Sequence, residues 1–259
     1  AALGVALVGR LPLGAMPARG IKALIKKTAP GKLVRTKRYT CYRAVGATGR
    51  PLGPKLRGVA RRLSEVVFSG GELPLAPPTT NGTWKGAAWR GPDGGLRRGK
   101  AVDTQVSRLA KGSAAARRGA SMLKLTRHCF DALAYHGLTP VEAQRVVLDR
   151  ARGIGTAVDV VCQRGDDEVV LLELKCGYRG DRATPVYDRG RPLRMRAPLK
   201  TAVDCALHRH LAQLAATHAL FVRERGTMAA LKAKGVARVT GALIYVDDDS
   251  SELHELPDW

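Results

Sequence analysis

No feature constrains the fold of this chain more than two short β-rich runs, GTAVDVVC (155–162) and EVVLLELK (168–175), joined by a Gly-Asp-Asp turn. Runs of this length, bounded by a polar glycine turn, pair as an antiparallel hairpin. Alternate residues of a strand face the same way. Val169, Leu171, Glu173 and Lys175 therefore share one face, and Val170, Leu172 and Leu174 the other. Folding the hairpin about residues 165–166 brings Asp159 opposite position 172 or 173. Two carboxylates and an ammonium then converge near one end of a sheet. Charges in such apolar strands are costly unless paired or metal-bound. A structural ion pair at a strand end accounts for the spacing as well as a metal site does.

The metal reading carries chemistry. Two carboxylates hold a hard divalent cation through oxygen and leave positions for water and phosphate. The cation polarises a phosphoryl oxygen and acidifies its water, and an ammonium stabilises the developing negative charge. Phosphodiester hydrolysis by Asp159, Glu173 and Lys175 is the expectation.

Around the hairpin the patterns alternate between helix and strand. AVDTQVSRLA (101–110) and SMLKLTRHCFDALAYHG (121–137) read as helices, the second capped by Ser121 and stopped by Gly137. Residues 141–148 read as either a strand or a helix start with a capping box, and we favour the strand. A long helix follows at about 201–223, then a strand at 237–246 that ends in an acidic turn. Strands interleaved with helices indicate an α/β domain.

Charge divides the chain differently. Lys and Arg number 44 against 22 Asp and Glu, a formal charge of +22. Residues 1–100 hold 20 of the basic and 3 of the acidic side chains, and no acid precedes Glu65. The chain thus reads as a basic N-terminal arm and Gly/Pro-rich linker over 1–98, joined to a nearly balanced domain over 99–259. A short helix fits 61–68. Such a charge points to nucleic acid as partner, with anionic membrane as the alternative. No apolar run approaches the ~18 residues of a transmembrane helix. The arm also lacks an amphipathic helix with bulky apolar anchors for a membrane surface. An acid-free, Ala- and Arg-rich start suits a transit peptide, but a basic binding arm is the preferred reading. Five scattered cysteines without a CxxC pair argue against structural zinc and for a reducing, intracellular compartment.

Asp159, followed 14 residues later by Glu173-Leu174-Lys175, resembles the PD-(D/E)xK nuclease superfamily, with Val158 where a Pro is usual. The likeness is to RecB-type, lambda-exonuclease-like and viral alkaline nuclease-like members, and it covers about 99–256. GKAVDTQVSRL (99–109) is similar to the opening helix of that family, with Asp103 where a His is usual. Glu142 is similar to an acidic residue on the strand before the Asp-bearing one. HLAQLAATHALF (210–221) is similar to the helix after ExK, with Gln213 in place and Thr217 where a Tyr is usual. The resemblance implies a restriction-endonuclease-like core, with a mixed central sheet flanked by helices. It implies Mg2+ or Mn2+ held by Asp159, Glu173, Asp103 and Glu142, with Gln213 assisting, and DNA as the most favoured substrate. The competing expectation is a non-catalytic nucleic-acid-binding protein on the same fold.

Three further groups stand out. The Arg-rich stretch 179–200, with Tyr187, is placed to line a substrate channel, by phosphate neutralisation and base stacking. His208, His210 and His218 lie on one helix and read as surface or phosphate-contacting groups. GKLVRTKR is not a phosphate loop, because the Gly spacing and Lys-Ser/Thr are missing.

Overall fold

A computed structural model describes residues 19–30, 32–35, 42–46, 48, 50–69, 94–112, 122–176 and 181–257. Much of the expected arm and linker, including 70–93, falls outside these residues, as do Ser121, Cys41 and the start of the Arg-rich stretch.

The protein is α/β, with a mixed sheet flanked by helices. Eight strands form that sheet: β1 (Lys32–Arg35), β2 (Tyr42–Val45), β3 (Pro51–Gly58), β4 (Leu138–Asp149), β5 (Ile154–Arg164), β6 (Glu168–Cys176), β9 (Arg238–Val246) and β10 (Ser251–Glu255). Their order is β1-β2-β3-β5-β6-β9-β10, with β4 also paired to β5. The β3–β5 and β6–β9 pairs are parallel and the others antiparallel. A small ribbon pairs β7 (Tyr187–Asp188) with β8 (Arg191–Pro192). The helices are α1 (Arg19–Lys27), α2 (Val59–Val66), α3 (Gly94–Ala110), α4 (Lys124–Tyr135), α5 (Ala206–Val222) and α6 (Arg225–Lys232). Among the described residues no helix is long and apolar enough to cross a membrane.

The hairpin has the expected alternation. Val170, Leu172 and Leu174 pack with Val102 and Val106 of α3 and with Leu125, Cys129 and Leu133 of α4. Val169 and Leu171 pack on the other face with Leu211, Leu214 and Phe221 of α5. Residues 141–148 are strand, inside β4. The helix expected from 121 starts at Lys124, and Gln105 of α3 receives it. Its Oε1 accepts the Leu123 N–H at 3.0 Å and the Thr126 hydroxyl at 2.9 Å.

The described part of the expected arm is not an arm. Ile21 and Ile25 of α1 are 2% and 0% exposed and join the α5-side core, as does Val59 of α2. In RGIKALIKK the apolar residues recur at helical spacing between lysines, so a count of charges hides an amphipathic helix. A buried arginine rivets it. Arg145 of β4 donates to the Ile25 carbonyl at 3.2 Å, to the Thr28 carbonyl at 3.0 Å and to Glu224 Oε2 at 2.7 Å. One guanidinium therefore ties the end of α1 and the start of α6 to the sheet.

β5 has three neighbours on two edges. β4 lines one edge from Ile154 to Arg164. The other edge is shared: β3 takes Ile154 and Gly155, and β6 takes Val160 to Arg164. Between them, over 156–159, the sheet forks. The approach at the β3 side is close: a Cβ on Gly155 would lie 2.9 Å from the Leu56 Cδ1 methyl, which would have to shift.

Removing one partner of a buried ion pair costs about 3–5 kcal/mol, because the other charge is left uncompensated. Arg145→Met is expected to destabilise by that order in urea denaturation. Deleting residues 1–30 should also lower the midpoint, which an unattached arm would not do.

Candidate active site

Asp159 sits at the fork. The β5–β6 ladder has its last pair at Val160↔Leu172, so Asp159 and Glu173 are the next residues along each strand. Beyond that pair the Leu174 N–H has lost its ladder partner, and Asp159 Oδ2 accepts it at 2.9 Å. The carboxylate thus replaces a strand carbonyl. The sheet also changes sides here: Val160 packs with the α3–α4 core, whereas Val158 packs with the α1–α5 core. Regular alternation would put both on one face. The matching irregularity on β4 is Gln144, a non-glycine residue at φ +55°, between the Ala143↔Val160 and Arg145↔Val158 pairs.

Glu173 is buried, on the face expected for it. Its Oε1 accepts from Lys175 Nζ at 2.6 Å and from Gln213 Nε2 of α5 at 2.6 Å. The helix therefore reaches the strand through Gln213, and the Thr217 hydroxyl bonds the Gln213 carbonyl at 2.8 Å. Asp159 Oδ1 and Glu173 Oε2 make no hydrogen bond to any described residue.

Asp103 approaches from α3. Gln144 Nε2 donates to its Oδ1 at 2.9 Å, and it lies close enough to feel the charge of Glu173. Burial and then Glu173 raise its pKa, against the Gln144 hydrogen bond. Glu142 points elsewhere. It is buried opposite Val161, its Oε1 accepts the Ala143 N–H at 3.0 Å, and its charge acts on Arg145. Asp159, Glu173, Lys175 and Gln213 are thus brought together, Asp103 is linked through Gln144, and Glu142 is not joined to them. Among the described residues no group of three or more His, Cys, Asp or Glu side chains converges as a metal cage. The residues fit a divalent cation as a two-carboxylate edge, each offering one unoccupied oxygen. They do not form a closed all-protein site.

Electrostatics sets this pair apart. Burial and the adjacent Glu173 hold the Asp159 pKa well above the usual carboxylate range, with Lys175 and the Leu174 amide opposing. Cys176 is pushed up to about 12 by burial and then by Asp159.

The histidines differ from expectation: none is a free surface group. His208 meets the Val203 carbonyl at 2.8 Å and His218 the Val239 carbonyl at 2.9 Å. His210 is buried against the Tyr245 hydroxyl at 2.8 Å, and its pKa falls to about 3, through burial and then Lys175. A helical histidine pattern carries no sign of which carbonyl lies across from it. Gln144 was missed for a similar reason: nothing in VEAQRVV marks a left-handed residue. Tyr245 was missed too, although it pairs directly with Lys175. The exposed Tyr187 lies on the small β7–β8 ribbon.

No family model matches the chain, and neither does a curated protein or a solved structure. Its function must therefore be argued from the site itself.

An acid whose native pKa is raised binds more protons folded than unfolded, so stability falls as pH rises from its unfolded value towards the native one. Asp159 has a model-compound value of 3.8, so this loss begins near there. Asp159→Asn, whose amide oxygen can still accept the Leu174 N–H, should melt higher than the wild type at pH 7 in EDTA. The gap should close as pH falls towards 4. An equal gap at both pH values would show that its surroundings do not raise the Asp159 pKa.

Proposed function

We propose that this chain is a metal-dependent nuclease with a restriction-endonuclease-like core that hydrolyses phosphodiester bonds of DNA, as an exonuclease or a structure-specific enzyme. One observation carries the reading: Asp159 and Glu173 stand side by side at the fork, each with a carboxylate oxygen left over, and Lys175 lies against Glu173. A protein that only bound nucleic acid would gain nothing from an internal carboxylate pair that repels phosphate.

The division of labour follows from the contacts. Asp159 and Glu173 would hold Mg2+ or Mn2+ through their remaining oxygens. Oxygen-only ligation favours these hard ions over softer ones. When bound, the cation supplies polarisation of a phosphoryl oxygen and a more acidic water. Gln213 and Lys175 both hold Glu173 through Oε1, which leaves Oε2 for the cation. Lys175 also brings an ammonium to where negative charge develops on the phosphate. Gln144 restrains Asp103 beside the pair, and Asp103 adds negative charge that strengthens cation binding.

End-labelled linear and circular DNA, single- and double-stranded, should be cleaved with Mg2+ or Mn2+ and not with EDTA. Glu173→Gln and Lys175→Ala should each lower the rate by about 10²–10³-fold, the usual loss for one transition-state contact. Affinity for uncleaved DNA in EDTA should stay within a fewfold of wild type. Gln213→Ala should raise the metal concentration for half-maximal rate more than it lowers the maximal rate. Absence of metal-dependent cleavage by the wild type would overturn the reading.

A further inference from the structure

A basic groove lies further back along the strand that carries Asp159. Five residues before Asp159 on β5, about 16 Å away at about 3.3 Å per residue, a groove of about 380 Å3 opens. Lys55, Arg57, Arg62, Arg152, Gly153 and Ile154 line it. They come from the last residues of β3, from α2 and from the β4–β5 turn. β3 reaches β5 only at Ile154 and Gly155, so the groove lies at the outer end of that pair and the open stretch of β5 edge that ends at Asp159 lies beyond it.

We infer that this groove binds phosphates of the nucleic-acid strand upstream or downstream of the bond cut at Asp159 and Glu173, an inference that rests on the nuclease reading for the identity of the strand. Four cationic side chains line the groove, and the carboxylates that touch them are Glu65 and Asp149. Glu65 bridges Arg57 at 2.7 Å and Arg62 at 3.4 Å, and Asp149 holds Arg152 at 2.6 Å. Lys55 has no carboxylate partner among the described residues. The groove is therefore net positive. Its arginines are 55%, 46% and 64% exposed in their side chains. Pairs so exposed contribute little and exchange readily for another anion. A phosphate offers arginine a bidentate, charge-assisted partner, stronger than a solvated carboxylate contact. Along a duplex the separation from Asp159 corresponds to roughly five base-pair steps at about 3.4 Å each.

The test is binding, not cleavage. Anisotropy of labelled single-stranded and duplex oligonucleotides is followed against salt in EDTA. The variants are Lys55→Ala with Arg152→Ala, and a control pair, Arg223→Ala with Lys232→Ala, at exposed positions just after α5 and at the end of α6. Each lost phosphate contact reduces the slope of log affinity against log salt by about 0.9 on duplex and about 0.7 on single strands. The groove pair should reduce it by about 1.8 and about 1.4, and the control pair should leave it unchanged. Lys55→Glu, at an exposed position outside the ion pairs of the described residues, gives the same direction if the double variant melts early. An unchanged slope, or an equal loss in the control pair, overturns the inference. So does calorimetric binding of inorganic pyrophosphate that the groove substitutions abolish while DNA affinity is unaffected. A slope loss in the groove pair, with a wild-type chain that cuts nothing, would sink the nuclease reading and leave the strand-binding groove. Metal-dependent cleavage with an unchanged slope would do the reverse.

Discussion

A buried backbone N–H must find an acceptor, and at Leu174 the acceptor is a side chain. Where β6 parts from β5 the ladder ends, and the Asp159 carboxylate takes the place of the missing strand carbonyl. The rest of the centre depends on this substitution. It allows the sheet to fork without an orphaned donor. It commits one Asp159 oxygen to the backbone and leaves the other without a hydrogen bond to any described residue. It also keeps β6 extended, so that Glu173 and Lys175 remain on the face that α5 covers.

A carboxylate used in this way is an electrostatic liability. Glu173 stands beside it and Asp103 is near, so the local charge is negative, and burial raises the penalty for ionisation. Lys175 and Gln213 offset part of this at Glu173, and Lys175 with the Leu174 amide offsets part of it at Asp159. Gln144 offsets part of it at Asp103, from a left-handed backbone conformation that non-glycine residues rarely adopt. Strain of this kind, held in place by surrounding structure, tends to collect at functional positions. The contrast with Arg145 is instructive. That guanidinium, equally buried, is surrounded by carbonyls and Glu224, so its charge is spent on holding α1 and α6 to the sheet. One buried charge is saturated by the fold, and the other group of charges is left in excess.

The hairpin, its faces and its charged residues were legible in the chain because strand alternation is local. A period of two places Glu173, Lys175 and Leu171 on one side whatever lies beyond them, and the short turn sets the register near Asp159. The helices now numbered α3, α4 and α5 were legible for the same reason, and so was β9. The charge-based division into arm and domain failed because net charge ignores spacing: three apolar residues in α1 outweigh its lysines once a core is available to receive them.

By itself, then, the sequence determined which side chains could share a strand face and which segments could be helix or strand, since those follow from bond geometry and nearest-neighbour sterics. Only the tertiary structure decided what those side chains meet. The forked edge of β5 needs β3 and β6 to arrive at the same strand from distant parts of the chain. Gln213 reaches Glu173, and Gln144 reaches Asp103, across separations of about forty residues. Glu142 turns towards Arg145 and not the fork, and the histidines find carbonyls and Tyr245. Such outcomes depend on packing between elements, where one position among many neighbours settles the direction of a polar group, and no periodicity along the chain encodes that choice.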